Sequence, residues 1–184
     1  MIEPGGDEQL VTPRDDGAAR HLPGMELPGI GLVATDGTTV DLRKPGLTVV
    51  YAYPRTSPPG GKAIDGWDAI PGARGCTPQS CAFRDHFAEL KALGATRLFG
   101  LSTQTTEYQR EAAERLHLPF PLLSDHSLLL VSALRLPTFQ AGGLTLLKRL
   151  TMIIETGVIK HVFYPVHPPE KNADAVIDWL SATT

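Results

Sequence analysis

Cysteine is nearly missing from this chain. Cys76 and Cys81 are the only two among 184 residues, which excludes the disulfide-dense scaffold of a small secreted domain. Their spacing is not C-x2-C, a zinc site would need two more ligands, and His117, His161 and His167 have no metal spacing, so no metal is expected. Basic charge is also short. Lys and Arg number 17 against 20 Asp and Glu, a net charge of −3, which gives no electrostatic footing for nucleic acid or an anionic membrane. No apolar run approaches the roughly 20 residues that span a bilayer. The opening "MIEPGGDEQLVTPRDD" lacks the basic start and apolar stretch of a signal peptide, so a cytoplasmic location is expected. No repeat is present, which excludes a solenoid.

What is there suits one domain with a sizeable core, at 42% hydrophobic residues. Residues 1–22 are polar and aperiodic and read as a flexible tail; residues 23–184 carry the domain. "GIGLVATDGTTVDL" reads as a hairpin around Asp36-Gly37. Its G-x-G-x-x-A imitation of a dinucleotide motif leads into that turn and not into a helix, so it is set aside. "GLTVVYAYP" reads as a buried strand ending at Pro54. A helix follows from Thr77 to about Gly94, with Phe83, Phe87 and Leu90 on one face. "TRLFGLST" is a strand, and "TTEYQREAAERLHL" is a helix with Tyr108, Ala112 and Leu116 on one face. "FPLLSD" is a short strand, and "HSLLLVSALRL" is a short buried helix. "LTLLKRLTMIIETGVIKHVFYP" reads as two strands around Thr156-Gly157. The last helix carries Ala173, Val176, Ile177 and Leu180 as one stripe. Alternating strands and helices predict an α/β fold, a central sheet with helices packed on its faces.

The cysteines sit where that pattern changes from loop to helix. Cys76 directly precedes Thr77-Pro78, and proline is tolerated in the first helical turn. Cys76 is therefore expected at a helix N-terminus, where unpaired N–H groups and the macrodipole favour an anion and where thiols become nucleophilic thiolates more readily. Cys81 follows five residues later on the same helix. Their Cα atoms would lie ~8.7 Å apart in an intact helix, whereas a disulfide needs about 4.4–6.8 Å. The pair suggests a cycle in which Cys76 becomes a sulfenic acid, the first turn melts, and Cys81 condenses with it. The plain alternative is two buried cysteines acting as small hydrophobes.

The segment "GCTPQSCAFRD" resembles the peroxiredoxins of the bacterioferritin-comigratory-protein or peroxiredoxin Q type. So do "YAYP" before it, "GLSTQTTEYQREAAERLHLPFPLLSD" in the middle and "KRLTMIIETGVIKHVF" near the end. The resemblance implies a thioredoxin-like fold, a mixed central β-sheet flanked by helices, with an N-terminal β-hairpin. It implies peroxidatic and resolving roles for Cys76 and Cys81, an active-site arginine at Arg149, and a shielding proline at Pro54. Arg84 and Asp85 match a family segment too, and equally suit a solvated pair. Hydrogen peroxide or a small organic hydroperoxide would be the substrate, with no cofactor, and thioredoxin or a glutaredoxin-like dithiol would be the reductant. The assembly would be a monomer or a homodimer.

One departure matters. The family pattern P-x-x-x-T-x-x-C puts a threonine three residues before the peroxidatic cysteine, where this chain has Ala73. Thr56, Ser57 and Thr77 are candidates to supply the missing hydroxyl. Pro54 and Cys76 are also separated by an insertion, residues 58–75, far longer than the usual strand-to-helix connection of about 2–6 residues. Trp67, Ile64 and Ile70 give it apolar surface to pack, so a cap beside Cys76 that shapes peroxide access is expected, with Trp67 as a candidate lid residue; the alternative is a surface excursion or an oligomer contact. The runner-up function is a thiol–disulfide carrier or redox sensor without fast peroxide chemistry. A non-catalytic binding domain is a third reading.

Overall fold

The computed structural model describes residues 11–183. The hairpin forms around Asp36-Gly37 as expected. Strands β1 (Gly31–Ala34) and β2 (Thr39–Asp41) pair antiparallel, and the Asp36 carboxylate closes the turn by accepting the N–H and hydroxyl of Thr38. Strand β3 (Leu47–Ala52) lies inside the sheet and is buried along nearly its whole length. It pairs parallel with β4 (Ala95–Ser102) and antiparallel with β8 (Leu150–Glu155). With β5 (Leu122–Ser124) and β9 (Val158–Phe163), the sheet order is β2-β1-β5-β4-β3-β8-β9. A parallel β3–β4 neighbourhood requires a crossover, and helices α1 (Cys76–Asp85) and α2 (Phe87–Ala92) supply it.

Alternation along the central strands divides the core between the two sheet faces. Val49, Tyr51 and Ile153 join Phe83 of α1, Ala112 of α3 (Thr106–Arg115), and Ala173, Val176 and Leu180 of α5 (Asn172–Thr183). Val50, Ala52, Met152 and Ile154 join Leu130 and Leu134 of α4 (Leu129–Leu134) and the segment around Leu22. On the first face the rings of Tyr51 and Phe83 stack at 4.5 Å and 6°. Gly100 of β4 makes room for this. A Cβ there would stand 2.5 Å from Leu122 Cδ2 and 2.9 Å from the Tyr51 ring.

Several elements differ from the sequence reading. The expected helix from Thr77 to Gly94 breaks at His86, whose backbone (φ −101°, ψ 9°) leaves helical geometry between α1 and α2. The buried side of α3 is Gln109 and Ala112, continued by Leu116 at its C-cap, while Tyr108 is 46% exposed. The Gln109 amide nitrogen is paired inside the protein, donating to the Leu123 carbonyl and the Ser102 hydroxyl, so this polar residue occupies a core position without an unpaired donor. "LTLL" is not part of the strand before Thr156. It forms β7 (Leu144–Leu147), which pairs with β6 (Thr138–Ala141) as a separate two-stranded sheet around Gly142-Gly143.

Residues 11–22, which read as tail, lie against the domain. Leu22 is fully buried, and His21 Nε2 lies 2.8 Å from the Leu134 carbonyl oxygen. The Asp16 carboxylate accepts Lys148 Nζ and Tyr164 Oη, each at 2.8 Å. The rest of the expected tail, residues 1–10, lies outside the described residues.

Candidate active site

The insertion enters α1 through Gly75, the N-cap, at φ +111°. An L side chain rarely adopts that conformation. A Cβ at Gly75 would also meet Pro169 Cγ at 2.6 Å. Gly75 therefore allows the loop to turn into the helix while lying against the start of the C-terminal region. Cys76 is the first residue of α1, as the Thr77-Pro78 signal indicated, and is 5% exposed.

Arg149 comes from just before β8 and is 4% exposed. Its Nη2 stands 3.3 Å from Cys76 Sγ. The same nitrogen donates to the carbonyls of Gly72, Ala73 and Arg74 at 3.3, 3.2 and 3.4 Å. Cys76 Sγ lies 3.7 Å from the Ala73 carbonyl. Nη2 carries two protons and faces four acceptors, so its contacts are shared and long. When the thiol ionises, sulfur becomes the one anion among those four. The charge-assisted bond then takes precedence over the neutral ones.

Arg149 Nη1 donates to Gln79 Oε1 on α1. Gln79 Nε2 donates to Asn172 Oδ1 at 3.0 Å, and the same oxygen accepts the Thr151 hydroxyl at 2.6 Å. All of these side chains are buried. Next to them, Tyr51 Oη donates to Ser80 Oγ at 3.0 Å. Burial pushes the Tyr51 phenol well above its ordinary range, so it stays a neutral donor there.

Cys81 is half-buried on the same helix, and both cysteines are free thiols. Pro54 is buried just beyond β3. Of the three candidate hydroxyls, Thr56 is buried and committed. Its N–H and Oγ1 both donate to Gln104 Oε1, and Gln104 Nε2 returns a bond to its carbonyl. Ser57 is exposed, with its carbonyl bonded by Arg115 Nη2. Thr77 is half-buried in the first turn of α1. Arg84 bonds Asp85 at 2.9 Å and also reaches the Leu116 carbonyl at 2.8 Å, so it ties α1 to the end of α3.

The insertion is packed on its neighbours. Trp67 opens a single 3-10 turn and lies 6.1 Å, ring to ring, from Phe139 of β6. Ile64 packs on Gly142 at the hairpin tip, and Pro13 packs on Gly72. Between these parts lies a cavity of about 330 Å³, lined in part by Arg14, Gly72, Phe139, Lys148 and Arg149. Among the described residues no group of three or more His, Cys, Asp or Glu is placed to hold a metal ion.

Cys76, Ala73 and Arg149 thus meet at one point. The sequence reading did not single out Gln79, Thr151 or Asn172. Gln79 had a local signal, since position i+3 shares a helix face with Cys76. Thr151 and Asn172 had none, because only the folded chain brings them to Gln79.

The redoxin family model matches residues 22–177. The chloroplastic peroxiredoxin Q of Populus jackii is 30% identical over 164 residues, covering 86% of this chain and 68% of that protein. The chain spans 60–70% of the length of the chloroplastic relatives it matches. Among solved structures, peroxidoxin BcpB of Mycobacterium tuberculosis superposes with a TM-score of 0.71 at 25% identity, covering 89% of this chain and 99% of that one. The bacterioferritin comigratory protein of Xanthomonas campestris, studied for its alkyl peroxide reduction activity, superposes at 0.68 and shares the fold at 23% identity, with 86% and 97% covered. The family match runs through both cysteines and through the arginine that meets Cys76, and on that basis the chain belongs to the redoxin family as a peroxiredoxin of the Q, or bacterioferritin-comigratory, type.

Proposed function

We propose that this chain is a thiol peroxidase that reduces hydrogen peroxide and small organic hydroperoxides. The observation that carries the reading is the approach of Arg149 Nη2 to Cys76 Sγ at 3.3 Å at a helix N-terminus. A fixed cation there stabilises the thiolate and the negative charge that develops on the departing oxygen. The alkyl peroxide reduction attributed to the Xanthomonas protein of the same fold fits an organic substrate.

The thiolate sulfur attacks one peroxide oxygen, the O–O bond breaks, and the departing oxygen takes a proton and leaves as water or alcohol. Cys76 becomes a sulfenic acid. The Cys81 thiol then attacks that sulfur, a disulfide forms, and the sulfenic oxygen leaves as water. An external dithiol, thioredoxin or a glutaredoxin-like protein, returns both thiols. Sulfur carries the electrons throughout, so no cofactor is required. Two free thiols working by this cycle suit a reducing, cytoplasmic setting.

The deciding experiment is stopped-flow oxidation of the reduced chain with one equivalent of hydrogen peroxide, followed by intact mass. The expected result is oxidation orders of magnitude faster than free cysteine, a loss of two mass units, and loss of both in Cys76→Ser. The second reading, a thiol–disulfide carrier or sensor, rests on Ala73 in place of the family's threonine and on Thr56 being committed to Gln104. It would show an ordinary cysteine rate with peroxide and a disulfide formed only by exchange.

A further inference from the structure

Gln79 joins the reactive end of the molecule to α5, and its hydrogen bonds can run in only one direction. Arginine has donors alone, so the Gln79 atom facing Arg149 must be its oxygen. Its NH2 group then faces Asn172, which must present an acceptor, and Asn172 Oδ1 is that acceptor. Thr151 of β8 donates to the same oxygen and holds the Asn172 amide in place. Asn172 begins α5, directly after the short 3-10 turn Pro169–Lys171, and Pro169 is the residue against Gly75. The start of α5 therefore grips α1 on both sides of Cys76: at the N-cap through Pro169, and one turn later through Asn172.

We propose that Asn172 is a positioning residue that latches the first turn of α1 through Gln79. This rests on the peroxidase cycle above. While the latch is closed, Gln79 holds Arg149 against Cys76 and the helix keeps Cys81 out of reach of the sulfenic acid. For the disulfide to form, the turn must unwind, and the Gln79–Asn172 and Gln79–Arg149 bonds must break with it. Latch strength then divides the sulfenic acid between two fates. One is attack by the Cys81 thiol, giving a disulfide and water. The other is oxidation by a second peroxide molecule, which delivers one oxygen to sulfur, giving a sulfinic acid, and leaves as water or alcohol. A tight latch favours the second fate and a loose one the first.

The test uses Asn172→Leu, which removes the acceptor at similar size, and Asn172→Asp, which keeps an acceptor oxygen for both donors and suits a helix start. Thr151→Val, which frees Asn172 on one side, is the milder second variant should Asn172→Leu not fold. Two readouts are needed: amide hydrogen exchange of residues 79–81 in the reduced protein, and the partition between disulfide and sulfinic acid at rising peroxide, by intact mass. Loss of one buried hydrogen bond is expected to raise exchange in that turn about five- to tenfold. The sulfinic fraction should fall by a similar factor in Asn172→Leu, less in Thr151→Val, and little in Asn172→Asp. Wild-type exchange and partition in both Asn172→Leu and Thr151→Val would overturn the latch. So would an Asn172→Asp chain that behaves like Asn172→Leu. A wild-type chain that forms no sulfenic acid overturns the peroxidase instead, and the exchange measurement, which needs no peroxide, still decides the latch.

Discussion

Arg149 and Cys76, 73 residues apart in the chain, are 3.3 Å apart at Nη2 and Sγ. The guanidinium reaches the sulfur while also donating to Gln79 and to the carbonyls of residues 72–74. Arg149→Met is therefore expected to slow Cys76 oxidation by about 10²–10³-fold, the scale of losing one donor aimed at developing charge. Arg149→Lys is expected to recover little, because a point charge cannot reproduce the planar fork. Second-order rates with hydrogen peroxide under single-turnover conditions would check both.

Cys81→Ser would separate the two steps of the proposed cycle. The rate of the first oxidation should stay within about twofold of the parent, since the proposal gives Cys81 no part in attack on peroxide. The product should gain one oxygen in mass instead of losing two hydrogens, and turnover with an external dithiol should fall sharply. Intact mass after one equivalent of peroxide distinguishes these products.

Trp67→Ala tests whether the insertion is a seated cap. The ring contact with Phe139 is worth about 0.5–1.5 kcal/mol in comparable aromatic pairs, and it joins the insertion to the β6–β7 hairpin. The variant is expected to keep its global unfolding midpoint nearly unchanged and to be cut faster between Gly60 and Gly66 in limited proteolysis. Equal cutting in parent and variant would mean that the insertion is held by other contacts.

Phe83→Ala should be strongly destabilising. The side chain is fully buried and stacked on Tyr51, and such truncations cost about 3–5 kcal/mol. The urea midpoint should fall accordingly. Phe83→Leu should cost less, because more of the volume stays filled.

His161 lends the fold a pH dependence. Burial lowers its pKa below the usual histidine value, with its ring stacked on Trp179 at 4.8 Å and set edge-on to Phe163. Its folded pKa is therefore below its unfolded pKa. The neutral ring's contribution is fully present above about pH 6.5. It fades as pH falls through the depressed folded value. Melting temperature should drop between pH 7.5 and 5, and His161→Phe should flatten that part of the curve. Parallel curves would assign the acid sensitivity to other groups.

The local grammar of this fold was present in the sequence. Asp36-Gly37 specified its hairpin through a turn that aspartate closes from its own side chain. The Thr77-Pro78 step specified a helix N-terminus at Cys76, because proline tolerates the first turn. The family resemblance pointed to Arg149 as a residue, but not to its distance from sulfur.

What the sequence left open depends on partners distant in the chain. The run from Leu144 to Ile154 reads as one apolar strand, and only pairing with Thr138–Ala141 assigns its first part to another sheet. Gln109 is not among the residues the sequence placed on the buried face of α3, and it is Ser102 and the Leu123 carbonyl that accept its amide N–H groups in the core. Gln79, Thr151 and Asn172 carry no pattern of their own. Hydrogen bonds among buried side chains depend on where three separate elements meet, which local propensity does not encode and tertiary packing does.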